Sequence, residues 1–171
     1  MATTRHPFVL HVADILRRPG SSRHDVVEGP LERLSVIDTH MPEGSTVVVD
    51  VRLESVNEGV VATGTVTAPW EGLCRRCLEP VHGTLRADVL EVFEAEPTEG
   101  ETQLLDGDRI DLEPVAREAI LLELPMAPLC TEDCRGLCPT CGADLREGDC
   151  DCTPPPADPR WAGLEGLSFD D

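Results

Sequence analysis

The chain has no lysine and no tyrosine; all 14 of its basic residues are arginine. Without lysine there is no Schiff-base chemistry and no P-loop phosphate contact. Aromatic residues make up only 3%, so valine and leucine must fill any core. No apolar run approaches the ~20 residues of a membrane helix. The amino terminus, Met-Ala-Thr-Thr-Arg-His-Pro, lacks the apolar stretch of an export signal. These absences point to a soluble, cytoplasmic protein. Positive charge is also scarce, with 33 acidic residues against 14 arginines and a net charge of −19. That excludes a broad electrostatic nucleic-acid binder. The imbalance is uneven: residues 1–40 are neutral, with five arginines and five acids, and the other 131 residues hold nine arginines and 28 acids. Any RNA contact must therefore be local. Arg17, Arg18, Arg23, Arg75 and Arg76 are the candidates.

Catalytic signatures are missing as well. There is no H-E-x-x-H, no G-x-S-x-G and no Rossmann glycine pattern. The zinc-deaminase signature fails, because no histidine has Glu two places on and Leu137, not proline, precedes Cys138. The sequence reads as a non-enzyme.

What the chain does have is cysteine. Six of its eight lie in CTEDCRGLCPTCGADLREGDCDC, spaced Cys130-x3-Cys134-x3-Cys138-x2-Cys141-x8-Cys150-x-Cys152. The centre, Cys138-Pro-Thr-Cys141-Gly142, is a metal knuckle. Pro139 fixes one backbone angle and Gly142 tolerates the positive φ of a tight turn. Zn²⁺ takes four thiolates at about 2.3 Å, tetrahedrally. Six thiols compete for four places. The leading set is Cys138 and Cys141 with one or both of Cys150 and Cys152, completed from Cys130 or Cys134. Such a closed set is structural, with no open position for catalysis. Iron fits the same S4 geometry. Eight cysteines allow 105 disulfide pairings, but disulfides need an oxidising compartment.

Cys74-Arg-Arg-Cys77 admits three readings. It is a redox pair activated by Arg75 and Arg76, or half of a second metal site, or a turn with two inert thiols. In the second case two spare cysteines of the later cluster close it, giving two four-thiolate sites.

Along the chain, residues 8–12 read as a short strand and residues 13–18 as a helical turn stopped by Pro19-Gly20. Gly20-Ser-Ser-Arg-His24 reads as a basic loop. Val47, Val49, Val51 and Leu53 alternate with Val48, Asp50, Arg52 and Glu54, which marks a half-buried strand. Asn57-Glu58-Gly59 turns into a second strand over residues 60–68. A third covers residues 84–93, with Leu85, Ala87, Val89 and Phe93 inward. The acidic residues 91–108 otherwise read as loop. Asp111 to Leu124 is the clearest helix, with Leu112, Val115, Ala116, Ala119 and Ile120 on its apolar face and Pro125 as its stop. A stiff Thr153-Pro-Pro-Pro156 spacer leads to Trp161, Leu164, Leu167 and Phe169, which dock on the sheet or on a partner.

The expected fold is α+β: a small antiparallel β-sheet or partial barrel with one main helix and a C-terminal zinc-knuckle module. The expected organisation is 1–29, N-terminal strand and basic loop; 30–125, sheet plus helix; 126–152, zinc module; 153–171, spacer and docking tail.

Four stretches resemble the YceD family of large ribosomal RNA subunit accumulation proteins. They are Cys74-Arg-Arg-Cys77-Leu-Glu-Pro-Val81; Ile110-Asp-Leu112 leading into the helix; Leu129-Cys-Thr-Glu-Asp-Cys-Arg-Gly-Leu-Cys-Pro-Thr-Cys-Gly142; and Asp158-Pro-Arg-Trp161. The arginine-only usage resembles an actinobacterial member. The resemblance implies a bacterial cytoplasmic factor for synthesis, processing or stability of 23S ribosomal RNA, acting on that RNA or on an assembly or processing protein. Two other classes stand beside it: a zinc-stabilised protein adaptor, and a thiol or iron redox protein.

Overall fold

The computed structural model describes residues 6–32, 34–153, 158 and 160. Its elements in order are β1 (Val9–His11), α1 (Ala13–Leu16), β2 (Ser22–Pro30), β3 (Ser35–Val36), β4 (Thr39–His40), β5 (Thr46–Val56), β6 (Gly59–Leu73), β7 (Pro80–Glu94), β8 (Gln103–Asp106), β9 (Arg109–Asp111) and α2 (Glu113–Glu123).

The period-two pattern of β5 does what alternation dictates: Val47, Val49, Val51 and Leu53 are all buried. Hairpin turns then set the register. Val56 pairs with Gly59 across the β5–β6 turn, and β6 pairs antiparallel with β7 along its whole length, from Gly59↔Glu94 to Leu73↔Pro80. On its other edge β6 pairs with β5 up to Thr67, and further on with β4 through Thr39↔Gly72 and His40↔Glu71. β2 covers the outer edge of β5 antiparallel, from Ser22↔Glu54 to Pro30↔Thr46. β8 joins β7 in parallel, turns back into β9, and β9 pairs with β1. Of the strands with one neighbour, β1 and β2 approach each other without ladder pairing. The guanidinium of Arg23 donates to the His11 carbonyl at 2.9 Å across that seam.

Helix α2 buries Val115, Ala116, Ala119 and Ile120, with Leu112 at its cap, against β6 and β7. Asp111 Oδ1 accepts from the Glu113 amide at 2.9 Å, satisfying one orphan donor of the first turn. Each fully buried Val, Leu or Ile contributes about 1.5–3 kcal/mol. The core therefore rests on the β5, β6 and β7 faces and on this stripe. No helix among the described residues is long and apolar enough to cross a membrane.

The α+β expectation is corrected. The described residues are predominantly β, a nine-stranded mixed sheet with one four-residue and one 11-residue α-helix. Two stretches carried the misreading. Ser22, Arg23 and His24 open strand β2, whose inward positions include Arg23 and Asp25, so no apolar alternation announces it. The acidic run after Glu94 contains β8, four residues long with only Leu105 buried. Trp161, Leu164, Leu167 and Phe169 lie outside the described residues.

Candidate metal centres

The β6–β7 hairpin does not end in a simple turn. Leu73 leads into Cys74-Arg75-Arg76-Cys77, and the chain returns at Pro80. In this knuckle the Leu78 amide donates to the Cys74 carbonyl at 2.9 Å, and the Cys74 amide to the Glu79 carbonyl at 2.8 Å. The later knuckle repeats the pattern. Gly142 donates to the Cys138 carbonyl at 2.9 Å, and Cys138 to the Ala143 carbonyl at 2.8 Å. The residue after the second cysteine has positive φ in both, 62° at Leu78 and 74° at Gly142.

The cysteines gather into two quartets. Cys74, Cys77, Cys130 and Cys134 form one; Cys138, Cys141, Cys150 and Cys152 form the other. Within each, all sulfurs lie within 4.8 Å of one another. In the first, Cys74 and Cys134 Sγ are 3.8 Å apart and Cys77 and Cys130 Sγ are 3.6 Å apart. A tetrahedron of 2.3 Å metal–sulfur bonds has edges of about 3.8 Å. All eight thiols are free. The donor set and its spacing therefore fit a thiophilic ion at each quartet. Cys130 and Cys134 side with the hairpin, and Cys150 and Cys152 both side with Cys138 and Cys141.

The electrostatics within each quartet follow from crowding. At Cys74 burial pushes the thiol up, but the amides of Cys77, Arg76 and Cys130 outweigh it and bring it down to about 6. The Cys141 and Thr140 amides, with Cys150, lower Cys138 to about 6. Burial raises Cys77; at Cys150 the Cys152 amide pulls the thiol down, but Cys138, with burial, outweighs it and raises it. Burial and Cys130 push Cys134 up to about 12, and Cys141, with burial, pushes Cys152 up to about 12. Amide dipoles thus stabilise the thiolates of Cys74 and Cys138, and a cation would offset the cost of ionising Cys77, Cys134, Cys150 and Cys152.

The surrounding residues fasten the two sites together. The Arg75 amide donates to the Pro128 carbonyl at 2.9 Å, and the Arg76 guanidinium to the Cys134 carbonyl at 2.9 Å and the Glu132 carbonyl at 3.3 Å. The Arg76 carbonyl accepts from Leu137 at 3.1 Å. Gly136 passes so close that a Cβ there would lie 2.8 Å from that same oxygen. Arg146 pairs with Asp144 at 2.5 Å and Glu79 at 3.6 Å, and reaches Cys130 Sγ at 4.0 Å. Arg135 pairs with Asp149 at the second site. Arg146, Leu78 and Gly136 carry no sequence signal of their own; only the matching C-x-x-C spacing pointed to paired knuckles.

The five candidate RNA-binding arginines are not brought together. Arg17 and Arg18 are exposed after α1, near the end of β5, where the Gly20 amide meets the Ser55 carbonyl. Arg23 is held between Asp14 at 2.6 Å and Asp25 at 2.7 Å. Arg75 and Arg76 lie at the far end of the 15-residue strand β6, roughly 45–50 Å away along an extended chain.

Residues 62–168 match the family described as large ribosomal RNA subunit accumulation protein YceD. An uncharacterized protein of Mycobacterium tuberculosis is 38% identical over 167 residues, covering 92% of this chain and 80% of its own. One of Mycobacterium leprae is 37% identical over 159 residues, covering 85% and 72%. The Bacillus subtilis protein YlbN is 28% identical over 123 residues, covering 69% of each. No solved structure matches. With the match spanning both knuckles and more than half the sequence, the chain belongs to the YceD family.

Proposed function

We propose that this protein is a non-catalytic cytoplasmic factor that supports accumulation of 23S ribosomal RNA, and that its two cysteine quartets each hold a structural zinc ion. The observation that carries the reading is the coincidence of the family match with two closed four-thiol sets. Zinc is redox-silent and takes four thiolates without an open position, which suits sites that fasten loops. Every cysteine belongs to a quartet, so no spare dithiol remains for disulfide exchange. That weighs against the redox reading of Cys74 and Cys77.

The role on RNA is a platform role. Four thiolates on a divalent ion leave −2, so each loaded site adds to a chain already at −19. Such a surface favours contact through a ribosome-assembly or processing protein over wide contact with phosphates. Native mass spectrometry with metal analysis tests the sites: two zinc per chain is expected. Visible thiolate-to-iron absorption, or a folded reduced protein with no metal, overturns the zinc assignment. A deletion strain tests the biology. Mature 23S RNA should fall and return with the wild-type gene but not with Cys74→Ser; unchanged 23S levels overturn the role.

A further inference from the structure

Among the described residues, only Ile37 and Leu78 have positive φ without being glycine, at 51° and 62°. L-residues disfavour this region, β-branched ones most of all. Both side chains are also exposed, Ile37 at 75% and Leu78 at 60%. The backbone does not demand leucine: the twin knuckle makes the same two hydrogen bonds with Gly142 in that slot. Here strain and solvent exposure are both tolerated to keep an apolar side chain on show.

Both residues sit at one end of the molecule. Ile37 precedes Thr39 by two residues, and Thr39 pairs with Gly72; Leu78 belongs to the knuckle that starts at Cys74. Exposed Leu73 lies between them in the chain's register, and exposed Met126 follows Pro125, whose carbonyl accepts from Thr39 Oγ1 at 2.8 Å. Alongside is a hollow of about 430 Å³ with Asp38, Glu71, Leu73 and Val81 in its wall.

Carboxylates rim the apolar surface: Asp38, Glu71, Glu79, Glu132 and Asp133 are all exposed. Two of these carboxylates have partners, Glu71 with His40 at 2.9 Å and Glu79 with Arg146 at 3.6 Å, and Asp38, Glu132 and Asp133 remain. Among the described residues, Arg76 is engaged by carbonyls and Arg146 by Asp144 and Glu79, and Arg75 has no such partner. We propose that this end of the sheet is a docking surface for a basic protein segment with apolar side chains of its own, with Ile37 and Leu78 as the presented anchors. The rim repels nucleic-acid phosphates. It also repels the chain's own residues 154–171, which carry four carboxylates and one arginine.

The test uses the full metal-loaded chain and the double variant Ile37→Gly/Leu78→Gly. Glycine relieves the positive-φ strain, so the variant should melt at the same temperature or higher. The probes are individually purified large-subunit ribosomal proteins, an acidic control protein and a 23S RNA fragment, measured by calorimetry. Wild type should bind one or more basic proteins, and the double variant should bind them at least tenfold more weakly. Equal binding by the variant overturns the proposal. So does binding to the RNA fragment alone, or binding that appears only when residues 154–171 are removed. The proposal rests on the ribosome reading only for its probes: normal 23S RNA in a deletion strain would sink that reading and leave the measured binding standing.

Discussion

Glycine at position 136 shows how one side chain's absence holds two sites in register. Its φ is 72°, and a Cβ would meet the Arg76 carbonyl at 2.8 Å. Gly142 has nearly the same φ, 74°, but a Cβ there meets nothing within 4 Å. The two alanine variants therefore separate strain from collision. Gly142→Ala carries only the left-handed penalty, about 1 kcal/mol. Gly136→Ala adds displacement of the Arg76 carbonyl, which accepts from Leu137, and is expected to cost about 2–4 kcal/mol. Urea titration of the metal-loaded protein should rank Gly136→Ala well below Gly142→Ala. Equal losses would show that the contact with Arg76 is not what fixes the junction.

The two quartets join elements over different distances, and their behaviour should differ accordingly. The first ties the β6–β7 hairpin end to residues 130–134, more than fifty positions on, and three of its four cysteines are buried. The second closes within residues 138–152, with Cys141 exposed and Cys150 and Cys152 half-buried. From metal-loaded protein a chelator should therefore take the ion of the second site quickly and that of the first slowly. Hydrogen exchange after the first loss should report opening of residues 138–152 alone, because that stretch has little apolar surface of its own. Cys138→Ser should mimic this state and leave the sheet standing. Protection lost across β5 and β6 at the first step would contradict the division. The same contrast of local and distant explains what the sequence disclosed. Strand β5 and the buried stripe of α2 were legible because Val47, Val49, Val51 and Leu53, and Val115, Ala116, Ala119 and Ile120, repeat at the period of their element. The later knuckle was legible because its ligands are neighbours. Strand β2 was hidden by Arg23 and Asp25 at inward positions, and β8 by its brevity within an acidic run. That two cysteines of the later cluster could join Cys74 and Cys77 was one of three readings of that pair, and that the two are Cys130 and Cys134 was hidden because no periodicity links residues so far apart.

At the scale of the whole molecule, charge decides what kind of contact with RNA is open to it. Arg23 is neutralised by Asp14 and Asp25, and Arg76 faces carbonyls of its own chain. Of the five candidate arginines, that leaves Arg17 and Arg18 at one end of β6 and Arg75 at the other. Each phosphate neutralised contributes about 0.7–0.9 to the fall of log affinity with log salt. At either end these candidates can therefore supply a slope of no more than about 2, against a net charge of −19 that opposes every approach. Purified, metal-loaded protein titrated with naked 23S RNA fragments should bind weakly, with a slope this shallow. Arg17→Gln/Arg18→Gln and Arg75→Gln should each remove part of whatever binding is seen, and Arg23→Gln should remove none while lowering thermal stability. A slope of 5 or steeper would mean that a phosphate-binding surface exists that these arginines do not account for, and would overturn the proposal that contact with RNA runs through a protein.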